Sequence, residues 1–381
     1  MDLEPSEEQR ELVALARQVL TDAATAEAWQ VIDDDPERHP AAAWAALAAA
    51  GLIGVAVSER FGGTGLGLVE SALVLEEIGG SALPLPWLHT VLLVAGAVER
   101  FGSVAQQAAI LPAVVRGELI LAAALDEEGC PLPTAVPVTT TAVPVPDGFL
   151  LSGRKLHVPH ASLAGWLLVL ARLPDGSSSA FLVNPTLEGV ALTRQEVTTF
   201  ERRFIVDLND VWVAEADRLG AAGEGVAIMK FLLDRAWVGL AALQTGVSDQ
   251  ALRLTARHVS EREQFGQKIG TFQAVAQRAA DAWIDLQAIR LTSRQAAWRL
   301  EQGLDAADEI AIARIWACEA GQRVAHAAQH LHGGLGVVTD YPLHRLFRLA
   351  KQLELTLGGA GLQLERLGAS IADGPRQGRI D

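Results

Sequence analysis

Glu261-Arg262-Glu263-Gln264-Phe265-Gly266-Gln267-Lys268-Ile269-Gly270-Thr271-Phe272-Gln273-Ala274-Val275 stands between two long helical patterns and fixes how the rest of the chain divides. Gly266 and Gly270 permit a turn, because glycine takes left-handed backbone without a Cβ clash. An exposed arginine at such a corner can grip a phosphate through two parallel hydrogen bonds, while the Gln264 and Gln273 amides can read polar edges of a ligand. An ordinary interhelical turn with a solvated arginine is the other reading, and the residues by themselves leave both open.

Beyond the corner, Val275, Ala279, Ala282, Leu286, Ile289, Ala296 and Leu300 recur at spacings of three and four, interrupted by Ser293. Such a seam belongs to an antiparallel helix bundle. Gln277, Arg278, Asp281 and Asp285 fall off it, and proline is absent between Gly223 and Pro342. Residues 118–222 have the opposite texture, since Pro131, Pro133, Pro137, Pro144 and Pro146 would each break a helix. Short apolar runs there, Phe149 to Leu151, Trp166 to Leu170 and Ala180 to Val183, read as strands, as do Val206 to Leu208 and Val211 to Val213.

The first 117 residues return to helix. Ser6 and Gln9 form a capping box ahead of Leu12, Leu15, Ala16 and Val19, which share one helical face. A second helix runs through Ala41 to Ala50 and stops at Gly51, and the glycine-rich turn Ser58 to Gly65 leads into a third through Leu68 to Ile78. The expected fold is α+β: an N-terminal helical domain over 1–117, a middle β-barrel or sheet domain over 118–222 and a C-terminal four-helix bundle over 223–381.

Composition narrows the function. At 381 residues, half of them hydrophobic and a fifth charged, the chain is long enough for more than one packed core. A formal charge of -15 argues against nucleic acid as partner, because phosphate-backbone binders need a basic face. Cys130 and Cys318 are far apart and suggest neither a disulfide framework nor a zinc site. The acidic opening MDLEPSEEQR lacks an apolar core, so no secretory signal is expected, and the run Ala41 to Val57 falls short of the ~20 residues that cross a bilayer. A cytoplasmic protein without a membrane segment is expected. His326, His330 and His332 are spaced like metal ligands, but no carboxylate or cysteine follows at a supporting spacing, so no metal is expected.

A second glycine-bearing motif, His330-Leu331-His332-Gly333-Gly334-Leu335-Gly336, closes a long helix late in the chain, where paired glycines let a ligand approach the backbone. With it, Arg262-x-Gln264-Phe265-Gly266-x-x-Ile269-x-x-Phe272-Gln273 resembles the flavin-contacting motif of the acyl-CoA dehydrogenases. Residues 330–336 resemble their Gln-Ile-His-Gly-Gly-x-Gly segment, with His330 in place of the glutamine and Gln329 beside it. Ser58 to Gly65 is similar to the family's Pro-Glu-Glu-Tyr-Gly-Gly-x-Gly turn, and Gly223-Glu224-Gly225 to the Gly-Glu-Gly that opens its bundle. The resemblance spans nearly the whole chain. It implies FAD held by Arg262, Gln264, Phe265, Gln273, His330, Gly333, Gly334 and Gly359, with the arginine and the paired glycines reaching the nucleotide end of a cofactor seated in the neighbouring subunit. A dimer or tetramer follows. The implied reaction oxidises an acyl-CoA to its 2,3-enoyl form, a carboxylate taking the Cα proton and the flavin the Cβ hydride, with a carrier such as electron-transfer flavoprotein as acceptor.

The chain departs from the family at the base. The usual glutamate of x-Glu-Gly-Thr falls on Leu357, followed by Gly358 and Gly359. The alternative glutamate, 26 residues before Arg262, falls on Ala236. Asp234 is the remaining candidate, although a helical shift of two faces another way, and Glu354 reads as a helix-surface residue. The ring-embracing Thr-Glu-Pro-x-Ala-Gly-Ser-Asp and Trp-Ile-Thr-Asn are replaced by Asp126-Glu127-Glu128-Gly129-Cys130-Pro131 and Leu156-His157-Val158-Pro159-His160. This pattern resembles the glutamate-less subunits of heteromeric bacterial acyl-CoA dehydrogenases, including those of steroid side-chain degradation, and implies a paralogous partner that supplies the base. A structural partner without FAD, or a CoA-thioester lyase on the same fold, is the competing expectation.

Overall fold

The computed structural model describes residues 4–129, 139–372 and 374, so Cys130, Pro131, Pro133 and Pro137 lie outside the described residues. Helices α1 (Glu7–Ala23), α2 (Ala26–Asp34), α3 (Ala41–Ala49) and α4 (Leu68–Ser81) come first, then a π-helix (Leu88–Ala95) that runs into α5 (Gly96–Phe101), and α6 (Val104–Val115). Strands follow: β1 (Leu121–Ala124), β2 (Thr141–Val145), β3 (Gly148–Pro159), β4 (Trp166–Arg172), β5 (Ser178–Val183), β6 (Val190–Gln195), β7 (Arg203–Ala214) and β8 (Arg218–Leu219). The chain then builds α7 (Gly225–Glu261), a small hairpin of β9 (Glu263–Gln264) and β10 (Gln267–Lys268), α8 (Gln273–Glu301), α9 (Ala307–His332), α10 (Leu343–Leu355) and α11 (Ala360–Ala372). Helices, sheet, helices is the order expected of the α+β fold.

Two compact units form, and they interleave along the chain: residues 1–26, 68–83 and 237–381 make one, residues 27–67 and 84–236 the other. In the first, α1 starts at the expected capping box, the Ser6 Oγ accepting from the Gln9 N–H at 3.2 Å and the Gln9 Oε1 from the Ser6 N–H at 2.9 Å. Its buried face centres on Ala16 and Leu20, and Leu15, expected on that face, is 42% exposed. The stripe lies about one residue later than the spacing suggested, since Leu20 continues it from Ala16 at i+4 and Leu15 falls off its edge.

α4 and α7 approach backbone to backbone. A Cβ on Gly246 would stand 1.7 Å from the Glu76 carbonyl oxygen, and one on Gly79 would stand 2.1 Å from that of Leu243, so two glycines are required where the helices cross. On α8 the expected seam is buried from Ala282 through Leu286 and Ile289 to Ala296, with Ser293 buried inside it. Trp283, Ile284 and Leu291 of the same helix remain 56%, 61% and 50% exposed, more apolar surface than one bundle face needs to show.

The second unit is built on one sheet of order β6-β7-β3-β2-β4-β5-β8, with β1 added parallel to β4. β3 and β7 pair antiparallel along most of their length, with register shifts between Leu151 and Gly153 and between Lys155 and Val158. Phe149, Leu151, Val169, Phe181, Val206 and Val213 fill its core. Pro144 sits within β2 opposite Phe149, and Pro146 opens the turn into β3. No helix among the described residues is long and apolar enough to cross a membrane.

Candidate functional site

α7 ends with the Arg262 N–H donating to the His258 carbonyl at 2.9 Å, and the chain folds back so that the Ile269 N–H reaches the Arg262 carbonyl at 2.9 Å. Between them Gln264 pairs with Gln267, and Lys268 with Glu263, across a two-residue turn. Phe265 at φ 54° and Gly266 at φ 76° make both central residues left-handed, the type I′ pattern that matches strand twist. Glycine tolerates this, whereas a bulky phenylalanine does so only under constraint. Phe265 is 93% exposed, with only Phe272 edge-on at 6.3 Å.

Arg262 lies at this corner, exposed. Of the two acids that flank it, Glu261 and Glu263, the second is paired with Lys268 at 2.7 Å, and among the described residues the Arg262 guanidinium makes no ion pair. Gln264 and Gln273, the latter the first residue of α8, are exposed beside it. The four sequence-predicted residues of this motif are therefore all exposed.

The paired-glycine segment forms a second open surface. α9 stops at His332, Gly333 turns the chain at φ 59° and ψ -137°, and a short 3-10 turn runs from Gly333 to Val337. A Cβ added to Gly333 or Gly334 would meet nothing within 4 Å, so neither glycine is there for packing, and both leave backbone accessible. His330 is exposed. Gln329 is consumed locally, its Nε2 donating to the Gly333 carbonyl at 3.1 Å. His326 stands edge-on to Phe347 at 5.2 Å and His332 is buried, so the three histidines face different surroundings.

At the position expected for the base, the turn after α10 is held firmly and carries an alkyl side chain. Leu357 is buried at φ 54°, and its carbonyl accepts from Trp237 Nε1 at 3.0 Å. Arg314 Nη2 donates to the carbonyls of Leu353, Thr356 and Gly358 at 3.1, 3.2 and 3.3 Å, capping the C-terminal end of α10. Arg314 is fully buried, and its burial lowers the guanidinium from its ordinary value. Gly359 follows directly, partly buried. Trp237 and Arg314 were not singled out in the sequence, because their partners are main-chain carbonyls that leave no trace in residue type.

The two other positions carry no free base either. Ala236 is fully buried. Asp234 is buried and forms an i,i+4 ion pair with Lys230, while the next residue, Arg235, lies 3.5 Å from the centroid of the Phe231 ring. Glu354 is paired with Lys351 at 2.5 Å.

In the sheet unit, the segments at the expected ring end are built into the sheet. Asp126 and His157 stand 3.5 Å apart, and the Leu156 N–H donates to the Asp126 carbonyl at 2.9 Å. Glu127 accepts from Lys155 Nζ at 2.5 Å and from both the Thr139 and Thr140 hydroxyls, at 2.6 and 2.7 Å, and Lys155 also donates to the Leu170 carbonyl at 2.9 Å. Burial would raise Glu127, but the Lys155 charge and these hydrogen bonds outweigh it and hold the carboxyl at about 2. His160 is buried 3.6 Å from Glu201, which in turn accepts from Arg203 at 2.8 Å. These residues serve one another.

Residues 223–372 match the acyl-CoA dehydrogenase C-terminal domain, and residues 6–118 match the acyl-CoA dehydrogenase N-terminal domain. The chain is a member of the acyl-CoA dehydrogenase family. It is 37% identical over 383 residues to acyl-CoA dehydrogenase FadE27 of Mycobacterium tuberculosis, covering 98% of this chain and 100% of that one. Among solved structures, the ChsE4-ChsE5 complex of Mycobacterium tuberculosis aligns with a TM-score of 0.92 and 37% identity, over 99% of this chain and 100% of that chain. A variant of the steroid ACAD Tcur3481-Tcur3483 aligns with a TM-score of 0.89 and 41% identity, over 97% and 98% of the two chains. Acyl-CoA dehydrogenases are oxidoreductases acting on CH-CH bonds, with FAD as cofactor.

The residues present fit the nucleotide end of that cofactor. An exposed guanidinium that makes no ion pair among the described residues and two exposed glycines suit a diphosphate and its ribose.

Proposed function

We propose that this chain is the base-lacking subunit of a cytoplasmic, hetero-oligomeric, FAD-dependent acyl-CoA dehydrogenase. Arg262 would grip the FAD diphosphate from across a subunit boundary, with Gln264, Phe265, Gln273, His330, Gly333, Gly334 and Gly359 around it. FAD, when bound, supplies a hydride acceptor for Cβ of the acyl thioester. The Cα proton needs a carboxylate within hydrogen-bond reach, and a paralogous subunit contributes it.

The observation that carries this reading is Leu357, an alkyl side chain in a turn whose carbonyls are fastened by Trp237 and Arg314. A leucine cannot accept a proton, Ala236 cannot either, and Asp234 is already paired. Likeness to the ChsE4-ChsE5 complex supports a two-chain assembly, and likeness to a steroid ACAD supports a bulky steroid-type acyl-CoA as substrate. The exposed Trp283, Ile284 and Leu291 offer apolar surface for a partner subunit. Electrons would leave to an acceptor such as electron-transfer flavoprotein.

Co-expression tests the proposal. The chain purified with a paralogous acyl-CoA dehydrogenase subunit should be yellow, near one FAD per pair, and should reduce ferrocenium with an acyl-CoA only in the mixture. The built-in Asp126–His157 pair at the ring end favours a second reading, a partner without FAD or a lyase acting on a CoA thioester. A colourless pair would support that reading.

A further inference from the structure

The two segments read as the FAD diphosphate site are 71 residues apart in sequence, counted from Arg262 to Gly333, and one aromatic stack joins them. His258, in the last turn of α7, lies face to face with His332, the last residue of α9, with ring centroids 4.5 Å apart and planes 19° from parallel. His332 Nδ1 stands 2.8 Å from the Ala328 carbonyl, which can only accept, so Nδ1 carries the proton. Nε2 is then an acceptor, and Tyr341 donates its hydroxyl proton to it at 3.0 Å. The Tyr341 ring also tilts against His332, with 5.2 Å between centroids.

Each member is tied to a cofactor segment through the main chain. The His258 carbonyl accepts the Arg262 N–H, the last backbone bond before the arginine corner. His332 is followed directly by Gly333, whose left-handed turn opens the second surface. The Tyr341 carbonyl accepts from His344 Nδ1 at 2.8 Å, which anchors the stack to the start of α10. The other ties of the hairpin carrying Arg262 are local in sequence: Phe265 meets Phe272 edge-on at 6.3 Å, Lys268 Nζ donates to the Glu261 carbonyl at 3.1 Å, and the Lys268–Glu263 ion pair is internal to it.

We infer that His258, His332 and Tyr341 are positioning residues that lock the Arg262 corner to the Gly333-Gly334 turn, so that both halves of the diphosphate site meet the cofactor as one preformed surface. This rests on the FAD reading above. Preorganisation raises affinity by removing the ordering that a ligand would otherwise have to impose. An aromatic pair of this kind contributes enough to change binding on the order of three- to tenfold.

The test uses the full-length chain and two readouts. Amide hydrogen exchange in the FAD-free protein, followed at residues 262–268 and at residues 333–337, reports the coupling without any cofactor. FAD titration of the chain with its partner subunit reports the consequence. His258→Ala should speed exchange in both segments while β3 and β4 keep their protection, and should weaken FAD several-fold. His258→Phe keeps a ring to stack on His332 and should restore both readouts. Tyr341→Phe should loosen the 333–337 segment more than the 262–268 segment. Should His258→Ala leave either segment's exchange unchanged, or raise exchange throughout the chain alike, the coupling is refuted. Should exchange respond in both segments while no variant, nor the wild type, takes up FAD, the coupling stands and the flavin reading falls.

Discussion

Replacing Lys155 by methionine would leave Glu127 in the interior of the sheet unit without its counter-ion. Both side chains are nearly inaccessible, at 1% and 3% exposure, so water cannot take over the lost partner. The magnitude follows from the carboxyl itself. Glu127 is held at about 2 against an ordinary 4.5, which at roughly 1.4 kcal/mol per tenfold in proton affinity is about 3 to 4 kcal/mol of differential interaction. Losing one member of a buried pair typically costs about 3 to 5 kcal/mol, the same order. Because the two compact units need not unfold as one transition, the fitting assay is exchange protection of the slowest β3 and β4 amides. Protection should fall on the order of a hundredfold in Lys155→Met at neutral pH, and adding Glu127→Gln should recover part of it by removing the stranded charge. The sign with pH is fixed: a carboxyl depressed by folding stabilises above its unfolded value, so the wild type should lose this increment as pH falls from 4.5 toward 2. Lys155→Met should show little of that loss. Protection within twofold of wild type at neutral pH would refute the reasoning.

Arg262→Ala should weaken FAD on the order of ten- to a hundredfold, the loss of a charge-assisted bidentate contact, with the melting temperature unchanged because the side chain is exposed and makes no ion pair among the described residues. Arg262→Lys should not restore it, since a lysine presents a point charge instead of a fork. Gly246→Ala should destabilise the helical unit by roughly 1 to 3 kcal/mol, read as a lower melting midpoint, because the new Cβ must displace the Glu76 carbonyl. Asp234→Asn should leave the turnover of the two-subunit enzyme within about twofold; a loss of a thousandfold would make Asp234 the missing base.

The architecture could be read ahead of the structure where periodicity is strong. The seam from Ala282 to Ala296 and the Ser6 capping box depend on neighbours in sequence, and both are present. Leu15 went the other way because the stripe on α1 is narrow and centred one residue later. The π-helix over Leu88–Ala95 is apolar apart from His89 and Thr90, and the unbroken apolar run from Val91 to Ala95 carries no period to read. The interleaving of α1 and α4 with the C-terminal helices depends on long-range packing, as does the Gly79 and Gly246 crossing. The same holds at the site. Arg262 and the paired glycines announce themselves by residue type and order. His258, Tyr341, Trp237 and Arg314 act through a ring stack, a tautomer or a carbonyl, and those acquire meaning only once the helices are placed.

Anaerobic mixing with an acyl-CoA, followed by flavin absorbance, bears most directly on the borrowed base. The account predicts that flavin bound to this chain by itself stays oxidised, and that it bleaches when the paralogous subunit is present. Rapid bleaching by the chain alone would contradict it, and its loss in Asp234→Asn would name Asp234 as the base.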